Sequence, residues 1–551
     1  MSQQSGTHGK EVDLFVRKAT GLVRSWSMVD ALIYATFSIN LVTLGLYIFS
    51  QMYFLEGGLL PTLLVSSFFV LFEVVVYASL TAIMPRSGGD YVWQSRILGG
   101  GIGFILAVTG WWFILWLWVP LYSDMLRHIV LTPLLGILGA KDAALWFGGT
   151  ALGLFVTTLI MLAFVTFYIA IGMKWYARIQ KVCFWGGLVG LLLVFVLLLF
   201  GSPEGFKNGF EQNAQALFGA PPDVYAATLK AGEDAGAVNT LMGGGLNAIF
   251  LAIPFIVFFN LWPNWGSTLY GEIRGASDFK RNFWGMALAL IGTTVLGIIF
   301  FLLINKTVGW EFYTKANGAW WNFTWGYTEA APPLPVWPYP ALLAVFLSSS
   351  RLVQFVVVLL MSLWWFGWSG TVFLSSTRVI FAASFDRLLP DKVAEVEPAT
   401  RTPIYALLLM VVPSLVVSAL FSWDLFGFRS LTLDSTLVIA VTYLGTTVAA
   451  ILLPYLKKDL YNASPVAKYK VFGVPLITVA GVIFGGFLIF LLYQWLIDPN
   501  ELYGIGLKNP ASIVFMFVNY GLAALIYFGM RAYRKRKGVD IDKVYQEIPV
   551  E

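Results

Sequence analysis

Apolar runs near or above about 18 residues recur along this chain from Met28 to Ala532, and each is long enough to cross a hydrocarbon core of about 30 Å. A chain with so many such runs cannot hide them from water by folding on itself. Hydrophobic residues are 58% of the 551 and charged residues 12%, against roughly 45–50% and about 25% in an ordinary soluble domain. The solvent is therefore lipid, and the expected fold class is an all-α membrane protein.

Twelve helices are expected, at about 28–51, 58–84, 99–130, 147–171, 182–201, 245–270, 283–305, 350–382, 403–421, 431–455, 471–494 and 510–531. The distribution of positive charge tests the count, because Lys and Arg accumulate on the cytoplasmic side. With the N-terminus inside, 26 of the 35 Lys and Arg fall in the two termini and the even-numbered turns. Losing one helix would put the later clusters on the wrong face. The chain is thus expected in the cell membrane with both termini cytoplasmic. It divides into an N-terminal segment 1–27, a core 28–455, two appended helices within 456–531 and a tail 532–551. No apolar stretch precedes the first span, so no cleavable signal peptide is expected. Residues 341–350 suit a short interfacial helix. The polar loop between the fifth and sixth spans and the Trp-rich loop after the seventh do not form separate domains.

Several chemistries are poorly supported. A single cysteine, Cys183, excludes an intramolecular disulfide, and His8 and His128 cannot form a cluster for zinc or haem. No resident cofactor is expected. His128, near the outer end of the third span, reads as interfacial. A membrane-embedded enzyme is the runner-up function, but it would need a nucleophile or an acid/base pair, and no Ser/His/Asp grouping, His-rich box or pair of carboxylates within a helix is present. The absence of a Gly-x-x-x-x-Gly-Lys-Ser/Thr loop disfavours an ATP-driven pump. The run Arg531, Arg534, Lys535, Arg536, Lys537 reads as an anchor to anionic lipid rather than a nucleic-acid site. Trp310, Trp320, Trp321, Trp325, Trp337 and Tyr339 suit an aromatic belt or, alternatively, an external vestibule.

Two spans carry signals for a break inside the membrane, where irregular backbone must line a cavity or bind something. In the first, Ser38, Asn40, Thr43 and Gly45 sit mid-span. In the sixth, Asn260, Pro263, Asn264 and Gly266 cluster, and Pro263 lacks a backbone donor. Either alone can be a kink or a helix contact. Together they open corresponding five-helix halves if the chain is an inverted repeat, the expected pointer to a midplane site. Amides at one half-helix N-terminus and carbonyls at another's C-terminus suit the carboxylate and ammonium of an amino acid or a related small amine. The expected substrate-binding residues are Ser38, Ile39, Asn40, Leu41 and Val42 with Phe259, Asn260, Leu261, Trp262, Pro263 and Asn264.

Three stretches carry a family resemblance. MPRSGGDYVWQSR, residues 84–96, resembles the Pro-basic-small-Gly-Gly-x-Tyr-x-Trp signature of the amino acid, polyamine and organocation transporter superfamily. STRVIFAASFDRLLPDKVAEV, residues 376–396, resembles its pattern after the eighth span, with Arg378, Asp386 and Pro390 in register and Thr402-Pro403 following. Glu272 matches an acidic position closing the sixth span. The resemblance implies a five-plus-five inverted-repeat core with discontinuous first and sixth helices, alternating access, and a cytoplasmic gate that includes Arg86, Arg96, Arg378 and Asp386. One departure is local: many members have a Gly-rich break in the first helix, where this chain has Ser38-Ile39-Asn40-Leu41-Val42.

Coupling has two candidates. Glu73, a carboxyl at membrane depth, can carry a proton or simply bond a neighbouring helix. Ser369 and Thr371 can offer hydroxyls to a sodium ion beside carbonyls of the first span, or bond their own backbone. Proton coupling is the preferred reading. The function expected is a secondary active transporter of amino acids or small amines. A nutrient sensor of the same fold is the other alternative.

Overall fold

The computed structural model describes residues 21–548. The first twenty residues of the expected N-terminal segment, His8 among them, and the last three of the tail lie outside the described residues. Among the described residues twelve helices are long and apolar enough to cross a membrane: Met28–Phe54, Leu59–Ile83, Gly100–Ile137, Ala151–Ala170, Met173–Phe200, Leu246–Glu272, Phe279–Thr307, Arg351–Phe385, Ile404–Ser422, Leu425–Leu456, Leu476–Ile497 and Pro510–Arg536. The only strands among the described residues are a hairpin, Lys470–Val471 with Val474–Pro475, between the tenth and eleventh spans.

Burial separates the spans into core and rim. The most apolar window of the first span is 94% buried inside the protein and that of the twelfth only 11%, so the first span is central and the twelfth faces lipid. Leu192, Phe200, Phe517 and Leu525 are exposed on that outer surface, as a bilayer-facing side requires and a water-facing one would not tolerate. The second span packs on the seventh, and the fifth on the eighth. An even number of spans returns the chain to one side. Trp26, ahead of the first span, meets Ile273 and Arg274 after the sixth, and Arg534 at the end of the twelfth reaches the loop after the eighth. That side is called the terminal face below.

The sequence boundaries differ from the structure in instructive places. The fifth span starts at Met173 rather than 182, because its basic first turns are helical while their long side chains reach out of the apolar layer. The third span runs to Ile137 rather than 130, so Asp124, Arg127 and His128 lie well short of its end. His128 is therefore buried, edge-on to Trp320 and Trp337, rather than interfacial. Tyr47 donates to Asp124 at 2.7 Å and Arg127 to its other oxygen at 2.8 Å, bolting the first span to the third. Both long loops contain helices: Pro203–Phe218 and Val224–Asp234 after the fifth span, and Trp310–Thr324 and Pro340–Val345 after the seventh. Trp321 and Trp337 lie buried against Tyr47 within this cap and not in a membrane-surface belt.

Candidate functional site

Both expected breaks are present. In the first span regular helix ends at Ile39, Asn40 turns into the left-handed region (φ 44°, ψ 82°), and Leu41–Gly45 continues as a wider helical turn. Asn40 does there what glycine does elsewhere, since Asn tolerates this conformation better than most residues. Its side chain stabilises the break from both ends. Oδ1 accepts the N–H of Thr43 at 3.0 Å, capping the second half-helix, and Nδ2 donates to the carbonyl of Trp364 in the eighth span at 3.1 Å.

In the sixth span the α-helix Leu246–Asn260 ends on a bond from Leu261 N–H to Val257 O, and a tighter helix, Pro263–Glu272, resumes after it. Pro263 has no donor to continue the first ladder. Asn260 is held by the second span, accepting from Ser66 at 3.0 Å and donating to Ser67 at 3.1 Å. The two broken spans meet at Gly45, where a Cβ would come within 2.8 Å of the Phe259 ring. Only glycine permits that approach.

Aromatic side chains wall the junction. Trp118 of the third span packs edge-on to Trp262 at 5.1 Å between ring centres and stacks on Phe258 and Trp265 at 5.3 and 5.7 Å. Tyr122 stacks on Trp368 at 3.5 Å. Asn264 accepts from Tyr443 of the tenth span at 3.0 Å.

The structure thus gathers Ile39, Asn40, Leu41 and Val42 with Phe259, Asn260, Leu261, Trp262, Pro263 and Asn264 around two adjoining breaks, all buried. Their polar side chains are largely committed to holding those breaks. Ser38 bonds back to Tyr34 O at 2.8 Å, and Trp262 to Phe258 O at 2.8 Å.

The coupling candidates differ sharply in their surroundings. The Ser369 hydroxyl bonds Phe366 O of its own helix at 3.0 Å. The Thr371 hydroxyl faces Tyr122 at 3.3 Å, and the Thr371 carbonyl accepts from Tyr34 of the first span at 2.9 Å. A tyrosine hydroxyl therefore bridges the first and eighth spans where sodium ligands were expected. Glu73 is fully buried, and neither carboxyl oxygen has a hydrogen-bond partner among the described residues.

On the terminal face two ion pairs lie out of water. Arg378 donates through Nε to Glu272 Oε1 at 2.7 Å and through Nη2 to Oε2 at 3.2 Å, tying the eighth span to the sixth. Arg96 grips Asp386 with two bonds, at 2.6 and 2.9 Å, and Tyr91 donates to the same carboxylate at 2.8 Å. Arg86, the fourth expected gate residue, turns to the carbonyl of Pro85 at 3.1 Å. Residues of the tail complete the closure. Tyr545 lies against the Arg96 guanidinium, Arg96 Nε donates to Glu547 O at 3.3 Å, and Arg534 bonds Arg387 O, Leu389 O and Asp391. The Arg534 guanidinium holds the Asp391 carboxyl below its usual range.

The opposite face is open by contrast. A cavity of about 420 Å³ enters between Tyr47, Phe258, Trp325, Tyr327, Asp424 and Arg429, and meets the aromatic wall at Phe258.

Sequence reasoning missed Asp90, Tyr91, Tyr443 and the tail. Asp90 and Tyr91 stood in the 84–96 stretch, and a carboxylate directly after two glycines was the available signal. Nothing in the tail's composition pointed to the gate.

Residues 31–523 match a family model described as amino acid permease. No curated protein matches the chain.

Proposed function

The chain belongs to the amino acid permease family, and from that membership we propose that it carries amino acids or related small amines by alternating access, driven by a proton gradient through Glu73. Family membership makes it a transporter in a multi-pass membrane protein. The finer reading is carried by one asymmetry. Two buried ion pairs and the docked tail close the terminal face, while a cavity from the other side reaches the broken helices. Alternating access calls for such an asymmetry, with one side closed while the other side opens toward the site.

The breaks supply the recognition chemistry. With Asn40 and Asn260 occupied in shaping them, backbone N–H and C=O groups, with Asn264 Nδ2 and the Thr43 hydroxyl, remain for a carboxylate and an ammonium. The aromatic wall of Trp118, Trp262, Trp265 and Trp368 suits an apolar side chain or a cation over a ring face. Proton coupling is preferred to sodium because Glu73 is an ionisable group without a hydrogen-bond partner, whereas the Ser369 and Thr371 hydroxyls already have partners.

Two measurements test this. A thermal-shift screen against amino acids, polyamines and nucleobases is expected to find hits among the amino acids, since a ligand bound at about 100 times its dissociation constant adds about 2.7 kcal/mol to apparent stability. Counterflow of the hit in proteoliposomes must follow. Binding without exchange would convert the carrier into a sensor, and accumulation driven by sodium alone and unchanged in Glu73→Gln would remove the proton.

The terminal face is proposed to be cytoplasmic, on the Lys and Arg distribution. Phe472, at the tip of the hairpin on that face, is fully exposed, and the single native cysteine, Cys183, is buried. A Phe472→Cys variant is expected to react with an impermeant maleimide only after cells are permeabilised, and Tyr327→Cys, exposed on the other face, in intact cells. The reverse pattern inverts the topology.

A further inference from the structure

We infer that Asp90 and Glu73 form a two-carboxyl site that holds a single proton, linked through Tyr443 and Asn264 to the break of the sixth span. The inference rests on the proton-coupled reading and adds a second acid to it.

Ser66, Glu73 and Tyr77 are seven and four residues apart and so share one face of the second span. That face runs from the sixth-span break, where Ser66 bonds Asn260, to Asp90, which accepts from Tyr77 at 2.6 Å. The same Asp90 oxygen accepts from Thr446 of the tenth span at 2.5 Å. Gln94 donates to the Thr446 hydroxyl at 2.7 Å, which commits that hydroxyl as a donor toward Asp90. Two donors therefore converge on Oδ1. Oδ2 completes no hydrogen bond, with the Trp111 indole beside it, and is the natural seat of a proton.

Among the described residues no cation balances the pair. Asp90 is the one charged group set against Glu73 among the described residues. The nearby arginines are taken, Arg96 by Asp386 and Arg378 by Glu272. What faces the pair otherwise is neutral: Tyr77 from the second span, Trp111 from the third, Asn264 and Trp265 from the sixth, Tyr443 and Thr446 from the tenth. All are buried, and Asn264 Nδ2 and Trp265 Nε1 have no acceptor. Two carboxylates in such a place cannot both ionise, and they titrate as a unit. A proton is the cation that needs no added volume. Burial pushes the Asp90 carboxyl up to about 6, so Asp90 is neutral below that pH and ionises above it, where the pair keeps the single proton that prevents a second charge.

The position explains what release would do. Gly89 precedes Asp90 in a left-handed turn pressed on the sixth span, where a Cβ would lie 3.1 Å from Ser267 and Thr268 backbone atoms, and Gly88 N–H bonds Thr268 O at 2.8 Å. Losing the Asp90 proton leaves one uncompensated buried charge beside the neutral Glu73 carboxyl of the second span, on the segment that seals the Thr268 end of the sixth, and that charge favours parting of the two and entry of water. That loosens the terminal face.

Infrared difference spectra of the purified full-length protein, recorded as pH is raised through about 6, are expected to show the C=O stretch of a protonated carboxyl disappear. The band should be absent in Asp90→Asn and shifted in Thr446→Val, a near-isosteric change that removes one donor and preserves packing. A band unchanged in both variants overturns the site. In proteoliposomes given a labelled mixture of the common amino acids, the ratio of acid-driven accumulation to exchange should fall about tenfold in Asp90→Asn, the equivalent of one pKa unit. A ratio equal to that of the wild type overturns the link to transport. If the wild type exchanges nothing from the mixture, the transport reading falls and the infrared result still decides the proton site.

Discussion

Replacing Arg378 by Ala is expected to destabilise the protein by about 3–5 kcal/mol, because it leaves the Glu272 carboxylate buried without its partner. Both side chains are essentially without exposure, at 0% and 1%, and they join the eighth span to the inner half of the sixth. Loss of Arg378 would do more than remove an attraction. Glu272 would have to take up a proton or draw in water, and either loosens the 3₁₀ segment Pro263–Glu272 that ends on it. The double replacement Arg378→Met with Glu272→Leu removes both desolvation costs and is expected to recover most of the stability while leaving the terminal face less specifically closed. Detergent-denaturation titrations of the three proteins test the pair. A change below about 1 kcal/mol in Arg378→Ala would mean that this bridge behaves like an exposed one.

Asn40→Leu should cut uptake about a hundredfold, because three small terms act on one residue. A β-carbon without a local hydrogen bond costs about 1–2 kcal/mol in the left-handed conformation, and the bonds to Thr43 N–H and Trp364 O contribute about 1 kcal/mol each. A total near 3 kcal/mol leaves about one molecule in a hundred with the break intact. Asn40→Gly separates the terms. It keeps the conformation and loses only the two side-chain bonds, about 2 kcal/mol in all, so the expected loss is about thirtyfold. Uptake of labelled amino acids into proteoliposomes by the two variants gives the ranking. Equal losses would show that the conformation at residue 40 contributes nothing and that the side chain alone matters.

The two breaks were legible in the sequence for a particular reason. Pro263 and the asparagines act on the backbone within one or two residues, so their effect is encoded where they stand. The same locality made the twelve spans readable, since length and apolarity suffice in lipid. What the breaks' side chains touch was not readable. Asn260 finds Ser66 and Ser67 nearly two hundred residues away, and Asn40 finds Trp364. The Ser369 and Thr371 hydroxyls offered the right atoms for a cation, but their partners come from Tyr122 and their own helix.

By itself the sequence determined the solvent, the number of spans, the broken first and sixth helices and the resemblance to a transporter superfamily. Each of these follows from local periodicity, or from a motif whose residues are adjacent along the chain. Only the tertiary structure decided which acids share an environment and how the terminal face is closed. Glu73 and Asp90 become neighbours because the chain after the second span folds back beneath it, and Arg96 is buried in an ion pair because Asp386 and the tail converge on it. In a buried region the consequence of a charge depends on what lies within a few ångströms. Helix packing brings those neighbours together from positions up to about 450 residues apart, as with Arg96 and Glu547, and no one-dimensional pattern records such a meeting.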